Sequence, residues 1–192
     1  MFNLFRGLFF ILIATSLFGE NPPQINDWQT RLEYARVLSY LKKYKESLVE
    51  YQKILREKPD LTEAQIEMAK VYYYEGDYAA ALRFLDKIPS KNKTPDIDLL
   101  IADIYLTQKK YPEAEAIYNK YLNQLPDKKD AILLKLAEIY SWQKKYDDSL
   151  AIYKDLVARH PDDTQLIRKY AMVLTWAGKH QEAAEQLKKT LE

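Results

Sequence analysis

The side chains in this sequence that could catalyse a reaction or hold a metal ion are few and scattered. Cysteine is absent, and the two histidines are His160, directly before a proline, and His180. Aspartate pairs stand at 147–148 and 162–163, where helices are predicted to begin and where acids favour the helix dipole. No nucleophile, phosphate-binding loop or metal-ligand spacing accompanies them. We therefore expect no catalytic residue, no metal and no cofactor, in a protein that is not an enzyme.

Aromatic side chains offer a different chemistry, namely binding to another protein. The chain has 16 Tyr and 3 Trp, and Tyr, Trp and Arg are the residues that most often anchor protein interfaces. Two of the tryptophans stand in matching contexts, SWQKKYDDSL around Trp142 and TWAGKHQEAA around Trp176. This recurrence indicates that the element carrying them is itself repeated.

The composition is that of a folded helical protein. Of 192 residues, 47% are hydrophobic and 30% charged, which excludes collagen-like, disulfide-stapled and disordered classes. The few glycines and prolines lie outside the periodic stretches, and these are the residues that cost most inside helices. The sequence therefore predicts an all-α fold.

The first residues differ from the rest and resemble an export signal. Arg6 is the only charge before Glu20, and residues 7–19 form an apolar or small run of 13 residues, shorter than the about 20 that span a bilayer. We predict a signal peptide at 1–19, a linker at 20–27 and a periplasmic location. The alternative is an uncleaved inner-membrane anchor through residues 7–19, with the remainder facing the periplasm.

The charge balance argues against two classes of partner. Removing Arg6 with the leader leaves 28 basic residues against 28 acidic ones. Nucleic acids and anionic membranes bind proteins through excess Lys and Arg. We therefore expect no nucleic acid as a partner, and no direct membrane binding unless the N-terminal segment is uncleaved.

A period of about 34 residues organises the rest of the chain. Ring-bearing residues recur at spacings of 34, 33, 35 and 34, at Tyr44, Tyr78, Tyr111, Tyr146 and His180. Placing each at repeat position 17 defines repeats 28–61, 62–94, 95–129, 130–163 and 164–192. Fixed periods of 20 to 50 residues are typical of solenoids. The letters TEAQ from Thr62 predict a capping box, and Thr94 before Pro95 predicts a hydroxyl N-cap.

Small residues recur in register with this period. Position 8 is alanine in every repeat: Ala35, Ala69, Ala102, Ala137 and Ala171. Position 20 is Ser or Ala in every repeat: Ser47, Ala81, Ala114, Ser149 and Ala183. Over residues 28–192 the chain therefore resembles the tetratricopeptide repeat (TPR) family, although it lacks the family's Trp at position 4 and has Ala for Gly at position 8.

The resemblance implies a right-handed α-α superhelix (TPR solenoid) of about five helix-turn-helix repeats. In the family, positions 2, 5, 9, 12 and 13 of the first helices line a concave groove that binds a partner protein. Carried over, these positions predict partner-binding residues at Arg36, Tyr40, Lys70, Tyr73, Tyr74, Asp103, Glu138, Trp142, Met172 and Trp176. The alternative for each aromatic ring is packing between neighbouring first helices.

Three functional classes are compatible with these features. The first is a scaffold or chaperone-like adaptor for proteins of the bacterial cell envelope, since the Trp142 and Trp176 repeats look like those of outer-membrane and exopolysaccharide-export systems. The second is a cytosolic type III secretion chaperone, and the third an RNA-binding helical repeat, which the charge balance disfavours. The last predicted helix leaves Ala184, Leu187 and Leu191 uncovered, so we expect this edge to dock on a partner or a second copy.

Overall fold

The computed structural model describes residues 27–191, and their regular structure is helical throughout. The predicted leader (1–19), residues 20–26 of the predicted linker and the last residue lie outside the described range. Within 27–191 none of the helices has the length and apolarity needed to cross a bilayer. The described residues form two compact units, which divide between Glu75 and Gly76.

Over residues 27–75, the first unit contains three helices. Their bounds are α1 (Asp27–Tyr40), α2 (Tyr44–Glu57) and α3 (Thr62–Glu75). Helix α1 packs on α2, and α2 packs on α3. The apolar positions of each helix recur every three or four residues, so one side of the helix is buried. In α2 this side consists of Ser47, Leu48, Tyr51 and Ile54.

The second unit contains seven helices. Their bounds are α4 (Tyr78–Asp86), α5 (Pro95–Thr107), α6 (Tyr111–Tyr121), α7 (Lys129–Trp142), α8 (Tyr146–Arg159), α9 (Thr164–Trp176) and α10 (His180–Lys188). Short 3₁₀ turns at Ser90–Asn92 and Pro126–Lys128 precede α5 and α7. Each helix from α4 onward packs on at least one of its neighbours in sequence. The predicted all-α fold of helix-turn-helix repeats is confirmed.

The second helix of each predicted repeat begins at the residue that marks the period. Helices α2, α4, α6, α8 and α10 start at Tyr44, Tyr78, Tyr111, Tyr146 and His180. Pro59 and Pro161, at position 32, lie two residues beyond the ends of α2 and α8, since proline cannot donate the next helical hydrogen bond. Pro126 lies five residues beyond the end of α6 and does not determine where that helix ends. The period read from the sequence thus predicts where the second helices begin, whereas their ends vary from repeat to repeat.

The small residues of positions 8 and 20 lie in the core. All ten alanines and serines at these positions are buried. The two serines also bond across their hairpins: Ser47 Oγ donates to the Ala35 carbonyl at 2.7 Å, and Ser149 Oγ donates to the Ala137 carbonyl at 2.8 Å. A larger side chain at position 20 would force the helices of each hairpin apart.

A left-handed residue follows the first helix of each predicted repeat. The φ angle is positive at position 15 in every copy: Lys42, Gly76, Lys109, Lys144 and Gly178. In the fourth copy the Lys144 N–H donates to the Ser141 carbonyl and the Lys145 N–H donates to the Tyr140 carbonyl, the pattern of a Schellman motif. Glycine adopts this conformation without strain, so three lysines occupy a backbone geometry that suits glycine better.

Two of the predicted helix caps are corrected by the structure. The Gln65 N–H donates to the Leu61 carbonyl, which makes Leu61 the N-cap and moves Thr62 into the helix. The Gln65 side chain donates to the Pro59 carbonyl instead of closing a capping box, so that prediction is wrong. Thr94 is the N-cap of α5, as predicted, but its hydroxyl makes no capping bond.

Candidate functional site

Four of the predicted binding residues in the first unit surround one cavity. Arg36 and Tyr40 come from α1, and Lys70 and Tyr74 from α3. The cavity has a volume of ≈ 660 Å³ and is lined by Glu33, Arg36, Ser39, Tyr40, Lys42, Tyr44, Glu67, Lys70 and Tyr74. Tyr73 is not part of this lining, but its ring lies 5.6 Å from that of Tyr74. A second cavity of ≈ 400 Å³ shares Glu33 and Arg36 with the first and extends along the first half of α1.

Within the described residues, the charged lining of the larger cavity is internally paired, with the exception of Lys42. Arg36 donates to Glu33 and to Glu63, both at 2.5 Å. Partial burial opposes the charge of Arg36, but the hydrogen bond to Glu63 and the nearby acids raise the pKa of the guanidinium above its usual value. Lys70 binds Glu67 at 2.9 Å. The cavity therefore presents alternating charges of both signs.

Three tyrosines, Tyr40, Tyr44 and Tyr74, form the apolar part of this cavity. The side chain of Tyr40 is 84% exposed. The ring of Tyr74 stacks on that of Tyr44, with centroids 6.4 Å apart and an interplanar angle of 25°. Stacking holds Tyr74 in one orientation while leaving most of it exposed, so little conformational entropy would be lost when a ligand covers it.

In the second unit a comparable cavity lies between α5, α6 and α7. Its volume is ≈ 560 Å³, and it is lined by Leu106, Thr107, Lys109, Tyr111, Lys135, Glu138 and Trp142. The structure thus brings together Glu138 and Trp142 of the predicted set. Asp103 does not line this cavity, but it binds Lys135, which does. Met172 and Trp176 lie on α9, where both side chains are about half exposed.

Trp142 is both packed and exposed, but its packing partner lies on the second helix α6 and not, as the alternative predicted, on a neighbouring first helix. Its ring packs on Tyr111, with centroids 5.9 Å apart and an interplanar angle of 31°. The side chain is nevertheless 46% exposed and lines the cavity. The Tyr74–Tyr44 stack has the same register, since in both pairs a position-13 ring contacts the position-17 ring of the preceding repeat. Packing and exposure are therefore compatible at position 13.

Two of the predicted contact acids are engaged in ion pairs between neighbouring first helices. Asp103 binds Lys135 at 2.8 Å, and Glu138 binds Lys169 at 2.6 Å. In each pair the acid is at position 9 and the lysine at position 6 of the next repeat. Asp103 also accepts a 2.6 Å hydrogen bond from the Tyr118 hydroxyl. The sequence analysis did not predict these lysines. The one sequence feature that could have indicated them is their spacing from the acids, 32 residues for Asp103–Lys135 and 31 for Glu138–Lys169.

His160 and Asp163, two of the residues that could do chemistry, have structural roles. His160 Nε2 lies 2.6 Å from Asp130 Oδ2, and Arg159 binds the other carboxylate oxygen, which ties the end of α8 to the start of α7. Asp163 caps α9 through the Leu166 N–H. Over the described part of the chain no three His, Asp or Glu side chains are grouped so that they could hold a metal ion. The arrangement suits non-covalent binding.

Comparison with known proteins connects this arrangement with a family. The model described as "Tetratricopeptide repeat" matches residues 105–172, and that of the "Tetratricopeptide repeat protein 21 second ARM domain" matches residues 12–109, about half of the chain. No curated protein sequence matches the chain.

Solved structures are similar in fold. A tetratricopeptide repeat protein from Parabacteroides merdae ATCC 43184 has a TM-score of 0.75 at 19% identity, over 91% of this chain and 68% of that one. MamA 41-end from Desulfovibrio magneticus RS-1 has a TM-score of 0.74 at 15% identity, over 86% and 94%. YrrB, described as "a TPR protein with an unusual peptide-binding site", has a TM-score of 0.63 at 14% identity, over 86% and 85%.

Proposed function

Because this chain belongs to the tetratricopeptide repeat family, we propose that it is a non-enzymatic scaffold or chaperone-like adaptor that binds a partner protein along its first helices. The observation that carries the proposal is the environment of the position-13 rings. Tyr40, Tyr74 and Trp142 are exposed beside cavities in which every charged side chain except Lys42 and Lys109 is paired within residues 27–191. Such a surface can cover apolar side chains of a polypeptide, because these two lysines are exposed and can keep their ammonium groups in water.

The partner is proposed to be an extended segment with apolar or aromatic side chains. Paired charges lining a cavity add little net attraction for a charged ligand, whereas half-exposed aromatic rings lose unfavourable contact with water when they are covered. Tyr and Trp also lose few rotamers on binding. Tyr40, Tyr74, Trp142 and Trp176 are the proposed anchors, with Arg36, Lys70, Tyr73, Asp103, Glu138 and Met172 around them.

We further propose that the protein works in the bacterial cell envelope, after export directed by residues 1–19. The support is the sequence of that segment, with one basic residue and a short apolar run. N-terminal sequencing of the protein from a periplasmic extract tests this. A mature N-terminus near residue 20 is the expected result, whereas an intact Met1 in the cytosolic fraction would favour the type III secretion chaperone instead.

Affinity capture from cell-envelope extracts tests the binding surface. We expect proteins that the wild-type chain retains to be lost from a double variant with Trp142→Ala and Trp176→Ala. The matched control is Val49→Ala, because Val49 is an exposed apolar residue on a second helix, at a position that every repeat exposes. Equal retention by the double variant and the control would contradict the proposed anchors. Circular dichroism confirms that each variant is folded.

A further inference from the structure

Two apolar side chains of α1 are exposed at repeat positions that every later repeat buries. Tyr34, at position 7, is 53% exposed, and Val37, at position 10, is 50% exposed. Their counterparts in the later repeats are between 0% and 9% exposed: Met68, Ile101, Leu136, Tyr170, Val71, Ile104, Ile139 and Val173. This side of α1, with the exposed Thr30 and Leu41, is called the α1 face here.

The junction between α8 and α9 shows what covers such a face within the chain. Leu150, Tyr153 and Leu156 of α8 share one core with the position-7 and position-10 residues of α9, Tyr170 and Val173. The rings of Tyr153 and Tyr170 are stacked, with centroids 6.3 Å apart. The α1 face is therefore suited to pack against the side of a second helix that carries apolar residues at positions 21, 24 and 27 or 28.

Helix α10 presents such an outer side to solvent. Leu187, at position 24, is 40% exposed, whereas its counterparts Tyr51, Leu85, Tyr118 and Tyr153 are 0–2% exposed. Ala184 and Leu191, at positions 21 and 28, are exposed as well. These three residues form the α10 face. The chain thus carries on its surface both halves of a junction that it builds internally between α8 and α9.

We propose that the α10 face of one copy docks on the α1 face of a second copy, so that the protein self-associates head to tail. The helices of the α8–α9 junction run antiparallel, since one follows the other across a short turn. In the same arrangement the end of α10, with Lys188 and Lys189, lies by the start of α1, with Asp27. The lysines and Asp27 have opposite charges, but Asp27 is also paired with Arg31 at 3.0 Å, so the match between the two apolar faces is the main argument for the contact. Two different faces meet, so the contact is heterologous and chains of copies can grow.

A symmetrical contact between two α1 faces fits the structure less well. In both units the face of a first helix is covered by a second helix, α2 on α3 and α8 on α9. A symmetrical contact would instead pack the position-7 and position-10 side of one first helix against the same side of another first helix. At the α2–α3 and α8–α9 junctions this side packs on a second helix. Tyr34, Val37 and Leu41 of the α1 face line neither the larger Arg36 cavity nor the Trp142 cavity, whereas Thr30 also lines the smaller cavity beside Arg36.

Sedimentation velocity over a concentration series tests the proposal with three single variants of the full chain. Val37→Glu places a carboxylate in the α1 face, and Leu187→Glu places one in the α10 face. Val49→Glu is the control, because position 22 is exposed in every repeat. Burying an unpaired carboxylate is costly, so each face variant is expected to weaken self-association by at least about tenfold. All three sites are already exposed, so the variants should keep their helicity and melting temperature.

Mixing the two face variants gives the decisive result. Val37→Glu retains a normal α10 face and Leu187→Glu a normal α1 face, so an equimolar mixture should form dimers and nothing larger. The wild-type chain and Val49→Glu should form larger species as the concentration rises. Loss of association in Val37→Glu alone would indicate a symmetrical α1 dimer and overturn the proposal. A wild-type chain that remains monomeric at near-millimolar concentration, for example because another segment covers α1, would overturn it too.

Discussion

The hydroxyl of Ser149 donates a 2.8 Å hydrogen bond to the carbonyl oxygen of Ala137, across the two helices of one hairpin. Both residues are buried, and Ser47 makes the same bond to Ala35 in the first repeat. The serine is thus small enough for the helices to approach closely and polar enough to link them. Three other repeats have alanine at this position, so close approach is the shared requirement and the hydrogen bond is an addition.

Substitutions at Ser149 should separate these two contributions. Ser149→Ala removes one hydrogen bond but leaves the Ala137 carbonyl its helical partner, so we expect a loss of about 1 kcal/mol or less. Ser149→Leu adds volume where the helices touch and should cost about 3 kcal/mol or more. Urea unfolding midpoints of the two variants measure the difference. Equal midpoints would show that the hairpin is not closely packed at this position.

The left-handed lysines predict a stabilising substitution. Lys144 has a φ of 61°, a conformation that costs a residue with a side chain about 1 kcal/mol relative to glycine. Lys144→Gly removes this strain and should therefore raise the free energy of unfolding by about 0.5–1 kcal/mol. The larger conformational entropy of glycine in the unfolded chain offsets part of the gain. Lys145→Gly is the control, because Lys145 has a φ of −81° and gains nothing from glycine. Thermal melts in which both variants are destabilised equally would contradict this interpretation of the turn.

The ion pair between Glu138 and Lys169 should contribute a small, salt-dependent coupling between two first helices. The nitrogen–oxygen distance is 2.6 Å, and the lysine side chain is 40% exposed. A double-mutant cycle with Glu138→Gln and Lys169→Met is expected to give about 0.2–1 kcal/mol at low salt and less in 1 M NaCl. Unfolding midpoints of the four proteins measure it. A coupling of zero at low salt would mean that Glu138 is not held by Lys169.

Asp130 predicts a pH dependence of stability. Hydrogen bonds from Arg159, and then from His160, lower the pKa of this carboxyl below its usual value. The pairing therefore stabilises the fold at pH values above about 4, the pKa of an aspartate in the unfolded chain. This stabilisation is lost as the pH falls through the lower pKa that Asp130 has in the folded chain. Asp130→Asn should lower the free energy of unfolding at pH 7 by less than about 1 kcal/mol, since the cluster is exposed, and have no effect near pH 2. Thermal melts at the two pH values measure the difference. A difference that grows on acidification would contradict the assignment.

The sequence predicted the helices well because each boundary depends on a local requirement that recurs. Rings at position 17 begin the second helices, and alanine at position 8 is required wherever two helices touch. Capping was predicted less well, because the choice between Leu61 and Thr62 as N-cap depends on which carbonyl accepts the first helical hydrogen bond. The strained turns were missed because lysine, unlike glycine, does not reveal a positive φ in the letters.

The candidate site could be predicted only in part. Repeat register placed Arg36, Tyr40 and Trp142 beside cavities, because position along a helix determines which side a residue faces. Register alone could not show that Asp103 and Glu138 are neutralised by lysines of the next repeat, since that depends on how neighbouring helices are offset along their axes. It also could not show that Trp142 packs on Tyr111 and remains half exposed.

Site-specific photo-crosslinking in cells tests the binding surface most directly. A benzophenone amino acid placed at position 142 or 176 should crosslink to a partner protein, whereas the same group at position 49, on an exposed side of α2, should not. Tyr40 and Tyr74 offer equivalent positions in the first unit. Adducts at 142 and 176 that are absent at 49 are the result we predict. Adducts at 49 with none at the four position-13 sites would contradict the assignment of the first helices as the binding surface.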